Sequence, residues 1–301
     1  MITKIRLGGY GPPETAHSRA AALLKDALDD QPFDVDLFWN VLDFGYQASD
    51  LMSMVESGLL TLCYFSSSYL ADRVPGLEII DLPFLFRDID HAHNALDGPL
   101  GDELTRRTEE HTGYRVLGYW DNGFRHLSNS LHPVRTPDDC HDLRIRLQPN
   151  DVHIETFRRL GADPVPCDLA DGIAMIQSGA VNAQENPLAN IKTYGVHEHQ
   201  RHITMSAHFY GARGLYMNKD AYDALPSDLQ GAVLNAARQA IDFQRTAAAQ
   251  AEADIRRDFE AQGIEFVDLT DSERQQFIDV VAPVNDSARK TLGDDLFALA
   301  Q

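Results

Sequence analysis

The chain has 301 residues, of which 46 are acidic and 26 basic, and its formal net charge is −20 at pH 7. A length above about 250 residues favours two lobes, because a single hydrophobic core rarely grows larger. The strong negative charge argues against a nucleic-acid partner or an anionic membrane surface, since both require a positive face. Three scattered cysteines are too few for a disulfide framework or a zinc knuckle.

The first third of the chain alternates strand and helix patterns. Strands are predicted at residues 4–7, 33–38 and 59–65, and amphipathic helices at 15–28 and 46–57. Gly8 and Gly11 do not form a dinucleotide-binding motif, because two prolines follow them where its helix would begin. The chain opens directly on a strand, so we expect either a cytosolic protein or one whose leader has been removed.

A second block repeats the alternation after several short elements. A strand is predicted at 77–82, ending at a proline, with helices at 89–96 and 100–110 and a strand at 114–120. The second block has strands at 124–127, 143–147, 164–166 and 181–185, with helices at 152–160 and 169–177. Strands at 203–205 and 214–218 then return the chain to the first block. The pattern predicts an α/β protein, and the chain length favours two lobes.

The longest helical pattern begins at Ser227, the predicted N-cap after Leu225-Pro226, and runs to about Gly263. Its apolar residues keep to one broad face. At ~1.5 Å per residue this helix would be roughly 50 Å long, which is longer than one lobe. We therefore expect it to brace both lobes.

A candidate anion site lies in the predicted strand 143–147. Arg144 and Arg146 alternate with three apolar residues, so both point to one face of the strand. Arg146 is nearer the carboxyl end, where open α/β sheets bind their ligands. A guanidinium binds a carboxylate through two parallel hydrogen bonds, which an ammonium cannot form. An isolated Arg-x-Arg is more often solvated, so the prediction depends on its neighbours.

Further candidates lie near the predicted crossings between the blocks. Arg125 follows Asn122-Gly123 and is either a ligand contact or the partner of an acidic side chain. Asn186 precedes a proline and suits a helix cap, a ligand contact or both. Residues at strand ends of the first block could form a cleft wall; these are Trp39, Asn40, Tyr64 and Ser67. Glu185 and the crossing residues His208, Phe209 and Tyr210 complete the predicted site, the last three lining the cleft or packing the hinge.

The sequence contains few patterns typical of a metal site or a catalytic nucleophile. Histidines with ligand-like spacing occur as His91-x-His93 and His197-x-His199 with His202, but their settings indicate solvated faces. Cys167 has no recognisable histidine or aspartate order around it. We predict no metal, no cofactor and no catalytic residue.

The ordered segments resemble the solute receptors of tripartite ATP-independent periplasmic (TRAP) transporters, the DctP family. The likeness covers the whole chain and is carried by Asp50-Leu51 through Gly58, Leu82-Pro83-Phe84-Leu85-Phe86, Gly123-Phe124-Arg125, Pro137 to Arg146, Met175 to Pro187, His208 with Tyr210, and Leu225-Pro226. The resemblance implies two α/β lobes that clamp an organic acid, with Arg146 holding its carboxylate and Arg125 and Asn186 in support. It also implies a periplasmic location and membrane transporter subunits as partners, and we predict a monomer.

Some positions depart from the family pattern. Asp142 replaces a usual glycine, Asn182-Ala183 replaces Asp-Gly, and Gln148-Pro149 shifts a proline by one place. These loop changes leave the arginines in place but affect the shape of the pocket. The predicted lobes comprise residues 1–122 with 212–250, and 123–211 with 251–301.

Two other functions stay open at this point. An α/β enzyme acting on a small carboxylate would need a general acid–base pair in the cleft. A ligand sensor could use the same fold, and its genomic neighbourhood would distinguish it.

Overall fold

The computed structural model describes residues 2–301, which form a mixed α/β structure of two lobes. Its strands are β1 (Thr3–Gly8), β2 (Phe33–Phe38), β3 (Leu62–Ser66), β4 (Tyr114–Asn129), β5 (Arg144–Leu147), β6 (Asp163–Pro166), β7 (Ala183–Asn186), β8 (His202–Asn218) and β9 (Glu265–Asp268). Its α-helices are α1 (Ala16–Asp29), α2 (Asp50–Glu56), α3 (Ile89–Leu96), α4 (Pro99–His111), α5 (Asp151–Arg159), α6 (Leu169–Ser178), α7 (Leu188–Thr193), α8 (Lys219–Asp223), α9 (Ser227–Ala261), α10 (Asp271–Leu292) and α11 (Asp294–Leu299).

One sheet runs through both lobes in the order β2-β1-β3-β8-β4-β7-β5-β6, with β9 beside β8. The first lobe contains the parallel strands β1, β2 and β3, and the second contains the parallel strands β5, β6 and β7. The long antiparallel strands β4 and β8 join the two lobes. Because β-bulges shift the register between Asp121 and Gly123 and between Arg125 and Leu127, the crossing is bent without breaking either strand.

The predicted bracing by the long helix is present in the structure. Helix α9 has 35 residues, which at ~1.5 Å each gives roughly 50 Å. Val233 and Ala237 pack in the core of the first lobe, while Ile255 and Phe259 pack in a core of the second. The predicted N-cap is wrong by one position: Pro226 occupies it in extended conformation, and Ser227 is the first helical residue.

Other local predictions also need correction. The predicted strand at 77–82 is a 3-10 helix, Leu77–Asp81, because β3 already has neighbours on both edges and leaves no place for it. The separate strands predicted at 114–120 and 124–127 are one strand, as are those at 203–205 and 214–218. The helix predicted from residue 46 begins at Asp50.

The predicted lobe boundaries stay a prediction. Leu296 and Phe297 on α11 pack into the core cluster that contains the residues of β1, β2 and β3. Within residues 2–301, no helix has both the length and the apolar character required to cross a membrane.

Candidate ligand-binding site

A small cavity lies between the lobes, at the carboxyl ends of β1, β3, β5 and β7. Its lining comprises Tyr10, Ala48, Phe65, Ser66, Tyr69, Asn122, Arg146, Gln148, Leu169, Asn186, Asn190, Tyr194 and Arg213. In the described part of the chain, no carboxylate, imidazole or thiol lines this cavity. Its charged groups are therefore two guanidinium ions.

The Arg146 side chain is buried and has no acidic partner. Only 3% of its surface is exposed, and Nη2 donates a hydrogen bond to the carbonyl of Cys167 at 2.7 Å. Its Nε has no hydrogen-bond partner within residues 2–301. Arg144, two residues earlier, is exposed and lies 3.6 Å from Asp163 on the neighbouring strand β6. Of the two arginines, only Arg146 has its charge available inside the cavity.

Arg125 is also buried but is paired with Glu185. Its Nη2 donates to Glu185 Oε1 at 2.6 Å and to the Glu185 carbonyl at 2.8 Å, and its Nε binds the other carboxylate oxygen. Burial opposes ionisation, but the Arg125 guanidinium holds the pKa of Glu185 well below its ordinary range. The charge of Arg125 is thereby neutralised inside the protein, and its predicted contact with a ligand stays a prediction.

Asn186 belongs to a chain of buried amides that leads into the cavity. Its Nδ2 donates to Gln184 at 2.6 Å, and its Oδ1 accepts from Asn190 at 3.1 Å. Gln184 in turn donates to Ser128 at 2.6 Å. These bonds fix the orientation of the Asn186 amide, so its remaining N–H is held in place at the cavity wall.

Arg213 on β8 was not found by sequence reasoning. Its side chain is 4% exposed, lies over the Tyr10 ring at 4.9 Å, and donates from Nη2 to Asn190 Oδ1 at 3.2 Å. Its Nε has no partner within residues 2–301. A signal was present in the sequence: Arg213 is the only Asp, Glu, Lys or Arg between Ile203 and Asn218, a stretch otherwise suited to burial.

Phenols supply neutral donors beside the two cations. Burial raises the pKa of Tyr69 to about 12, and burial likewise raises the pKa of Tyr10 well above its usual value. Both hydroxyl groups therefore stay protonated at neutral pH and can donate hydrogen bonds to an anion.

Several predicted site residues lie outside the cavity lining. The Asn40 side chain accepts from the Leu42 amide, capping a 3-10 helix, and Trp39 beside it is 36% exposed. Ser67 is buried and donates to the Ala212 carbonyl at 3.2 Å. Tyr64 lines a larger groove next to the cavity, packing on Trp120 at a ring distance of 5.0 Å. Their predicted ligand contacts stay predictions.

The crossing residues of β8 pack the hinge. Phe209 stacks on His153 at 4.2 Å, and the Tyr210 hydroxyl donates to Asp121. His208 Nδ1 shares a hydrogen bond with Ser206 Oγ at 2.7 Å, and His208 Nε2 lies 3.5 Å from Glu185 Oε2. These contacts are made within the hinge, and the predicted ligand contacts of the three residues stay predictions.

The two lobes touch directly beside the cavity. Asn150 Nδ2, at the start of α5, donates to Asp81 Oδ2 at 3.1 Å and to the Ser68 carbonyl at 3.2 Å. Gln148 Nε2 lies 3.4 Å from Ser66 Oγ. These contacts hold the second-lobe wall that carries Arg146 against the first lobe.

His91, His93 and Cys167 each have a contact partner within the protein. His91 Nε2 lies 2.9 Å from the Ala300 carbonyl, and His93 lies 2.8 Å from Asp121. Cys167 lies beside Met175. Across residues 2–301, no group of three or more His, Cys, Asp or Glu side chains has a metal-binding arrangement.

The fold and the cavity define a class: a two-lobed α/β protein that encloses a small solute between its lobes. The chain belongs to the DctP family, bacterial extracellular solute-binding protein family 7, whose sequence model matches residues 44–291. It is 36% identical over 239 residues to a solute-binding protein of Verminephrobacter eiseniae, covering 79% of this chain and 70% of that protein. Identity is 32% over 234 residues to the 2,3-diketo-L-gulonate-binding periplasmic protein of Escherichia coli, covering 78% and 70%.

A solved structure agrees with these sequence relationships. The TRAP periplasmic solute-binding protein of Sulfurospirillum deleyianum, with bound succinate, matches at a TM-score of 0.91 and 28% identity, covering 100% of this chain and 98% of that chain. The predicted family and the predicted two-lobed fold are confirmed.

Proposed function

We propose that this protein binds a small organic acid between its lobes, with Arg146 holding a carboxylate of the ligand, and delivers it to the membrane subunits of a TRAP transporter. The supporting observation is the buried Arg146 guanidinium, which faces the cavity without an internal counter-charge. Burying an unpaired charge is costly, so an anion in the cavity would be strongly favoured. The carboxylate ligands named for the relatives are of this chemical type.

Binding without chemical conversion is part of this proposal. General acid–base chemistry requires a titratable group beside the substrate. Glu185, the nearest buried acid to Arg125, is already ionised and paired with it. We infer a periplasmic location from the family, and a monomeric receptor that acts without cofactor, metal or nucleic acid.

Substituting Arg146→Lys tests the role of this side chain. Lysine keeps the charge but cannot form the two parallel hydrogen bonds of a guanidinium. Removing one partner of a buried, hydrogen-bonded charge pair costs roughly 2 to 5 kcal/mol. We therefore expect Arg146→Lys to lower the affinity for the ligand by about 30-fold to several thousandfold. A thermal-shift screen of mono- and dicarboxylates, sugar acids and amino acids identifies the ligand class. Calorimetry then compares the variant with the wild type.

Arg144→Lys is the matched control. It lies on the same strand and the same face but is exposed, so the substitution should change affinity little. Equal losses at the two positions, or a larger loss at Arg144, would contradict the proposed site. Turnover of the best ligand, seen by mass spectrometry, would favour the enzyme alternative.

A further inference from the structure

We propose that Asp81 is a positioning residue for ligand binding: its carboxylate accepts a hydrogen bond from Asn150 across the lobe junction and thereby stabilises the closed lobes around the ligand. Neither residue lines the cavity, so neither acts through contact with the ligand. The inference rests on the proposed function, in which Arg146 binds a carboxylate of the ligand.

Asp81 is a buried acid with partners in both lobes. It ends the 3-10 helix Leu77–Asp81, which packs in the core cluster of β1, β2 and β3, and it is 1% exposed. Ser68 Oγ of the same lobe donates to its Oδ1. From the second lobe, Asn150 Nδ2 donates to Asp81 Oδ2 at 3.1 Å, and His153 Nε2 lies 3.3 Å from Asp81 Oδ1. Buried carboxylates require such partners, and half of these come from across the junction.

Asn150 is held rigidly in the position from which it reaches Asp81. It is the N-cap of α5, and its Oδ1 accepts from the His153 backbone N–H at 3.1 Å. The cap fixes the side chain and leaves Nδ2 free to donate to the first lobe, where it binds Asp81 and also the Ser68 carbonyl at 3.2 Å. One amide therefore starts a helix of the second lobe and bonds to the first.

The Asp81 contact is coupled to the ligand site through the chain itself. Asn150 follows Arg146 by four residues, just after the end of β5. A rotation of the second lobe that withdraws Arg146 from the cavity therefore withdraws Asn150 from Asp81 as well. Because ligand binding and lobe closure belong to one equilibrium, any contact that exists only in the closed state adds to the affinity.

The contribution of this contact should be measurable. A hydrogen bond to a charged group corresponds to about tenfold to hundredfold in an equilibrium constant. Opening exposes the carboxylate of Asp81 and the amide of Asn150 to water, which replaces the bond only in part. The bond has to break before the ligand leaves, so its loss should appear mainly as faster dissociation.

Reversing the donor and the acceptor tests the contact in the intact chain. Asn150→Asp keeps the helix cap, because a carboxylate also accepts from the His153 N–H, but it places a second carboxylate against Asp81. We expect about tenfold or more loss of affinity. Adding Asp81→Asn restores one donor and one acceptor in reverse order, so the double variant should regain part of the loss. Asp81→Asn alone should lose less than Asn150→Asp, because its amide oxygen still accepts.

The probe is the acid that gives the wild type its largest thermal shift, in a screen that begins with succinate, lactate, gluconate and glutamate. Calorimetry gives the affinity, stopped-flow fluorescence gives the rates, and urea unfolding gives the stability of each empty variant. If Asp81 only stabilises a permanent junction, Asn150→Asp should lose stability and keep the wild-type affinity and dissociation rate.

That result would overturn the inference, and so would a double variant that binds no more tightly than Asn150→Asp. The proposed function fails by a different observation, namely that no acid shifts the wild type or that Arg146→Lys binds the probe as the wild type does. In that case the role of Asp81 in binding fails with it. A wild type that binds through Arg146, with Asp81 and Asn150 variants of unchanged affinity, overturns the inference alone.

Discussion

The position of Arg146 depends on the absence of a side chain at Gly172. This glycine is buried on α6, and a Cβ built on it would lie 2.5 Å from Arg146 Nε and 2.9 Å from Arg146 Cδ. Contacts of that length require the neighbouring atoms to move. Because the stem of Arg146 is held between α6 and its own strand, any added methyl group has to displace the guanidinium relative to the cavity.

Gly172→Ala should therefore weaken ligand binding by about tenfold or more, since displacement of a bidentate donor by a fraction of an ångström disrupts its hydrogen bonds. Gly231→Ala is the control: it is also helical, and a Cβ there has no atom within 4 Å. Both substitutions gain up to about 1 kcal/mol in helix propensity. Calorimetry should show lost affinity only at position 172; equal affinities in the two variants would contradict this role for Gly172.

For single residues, the sequence allowed a prediction of the side-chain position where that position depends on residues nearby in the chain. Alternation within one strand placed Arg144 and Arg146 on the same face, and the position of Arg146 nearer the carboxyl end of the strand distinguished it from Arg144. The partner of Arg125 was not predictable, because Glu185 lies 60 positions away in the chain and meets it only through the pairing of β4 with β7. Arg213 was missed for the same reason, since its burial depends on Tyr10 and Asn190 from distant segments.

Gln244, at the middle of helix α9, forms hydrogen bonds with the crossing strand β4. Gln244 is fully buried, and its amide accepts from the Asp121 backbone N–H and donates to the Asp121 carbonyl, each at 2.8 Å. Asp121 lies at a bulge of β4, where the regular pairing is disturbed. The Gln244 amide thus acts as a strand neighbour for that peptide group, and it couples the helix to the hinge.

Gln244→Leu should destabilise the protein by about 1 to 3 kcal/mol, the cost of leaving a buried backbone N–H without a partner. His17 Nε2, 2.7 Å from the Asp121 carbonyl, can still satisfy the oxygen, which limits the loss. Urea unfolding measures the change. Gln239→Leu, exposed on the same helix, should be close to wild type; a similar loss at both positions would show that helix composition, not the contact with Asp121, is responsible.

Elements were predictable where periodicity alone decides them. The length and the bracing role of α9 followed from its apolar face. The unbroken course of β4 did not, because Asp121-Asn122-Gly123 has the composition of a turn, whereas the structure accommodates these residues as a bulge supported by Gln244. The segment at 77–82 has strand composition, but its conformation depends on whether a sheet edge is free.

For the whole molecule, chain length and the repeated alternation of strands and helices were enough to predict two lobes. We expect the stability of the junction between these lobes to depend on pH. His208 lies at that junction, close to Glu185, Arg125 and His126, with His153 stacked on the adjacent Phe209. Burial lowers the pKa of His208 from its ordinary 6.5 to about 4, although Glu185 partly opposes the shift. The folded protein therefore holds this imidazole neutral, while the unfolded chain protonates it below about pH 6.5.

The sign of the effect follows from proton binding. Between pH 6.5 and 4 the unfolded state binds more protons at this site than the folded state, so acidification removes stability, up to roughly 3 kcal/mol by pH 4. Glu185, whose folded pKa is also lowered, adds a further loss below about pH 4.3. Neutralising part of the −20 net charge acts in the opposite direction by reducing self-repulsion. The free energy of unfolding of the wild type therefore falls less steeply on acidification than the titration of His208 alone would predict.

Comparing variants isolates the contribution of His208. His208→Gln removes its titration while an amide remains near Glu185, so the free energy of unfolding should fall less between pH 6.5 and 4 than it does in the wild type. His199→Gln, at an exposed position, should follow the wild-type curve. Urea unfolding at half-unit pH steps measures all three proteins. Parallel curves for His208→Gln and the wild type would mean that the buried imidazole protonates as readily in the folded protein as in the unfolded chain, and that the junction does not exclude its charged form.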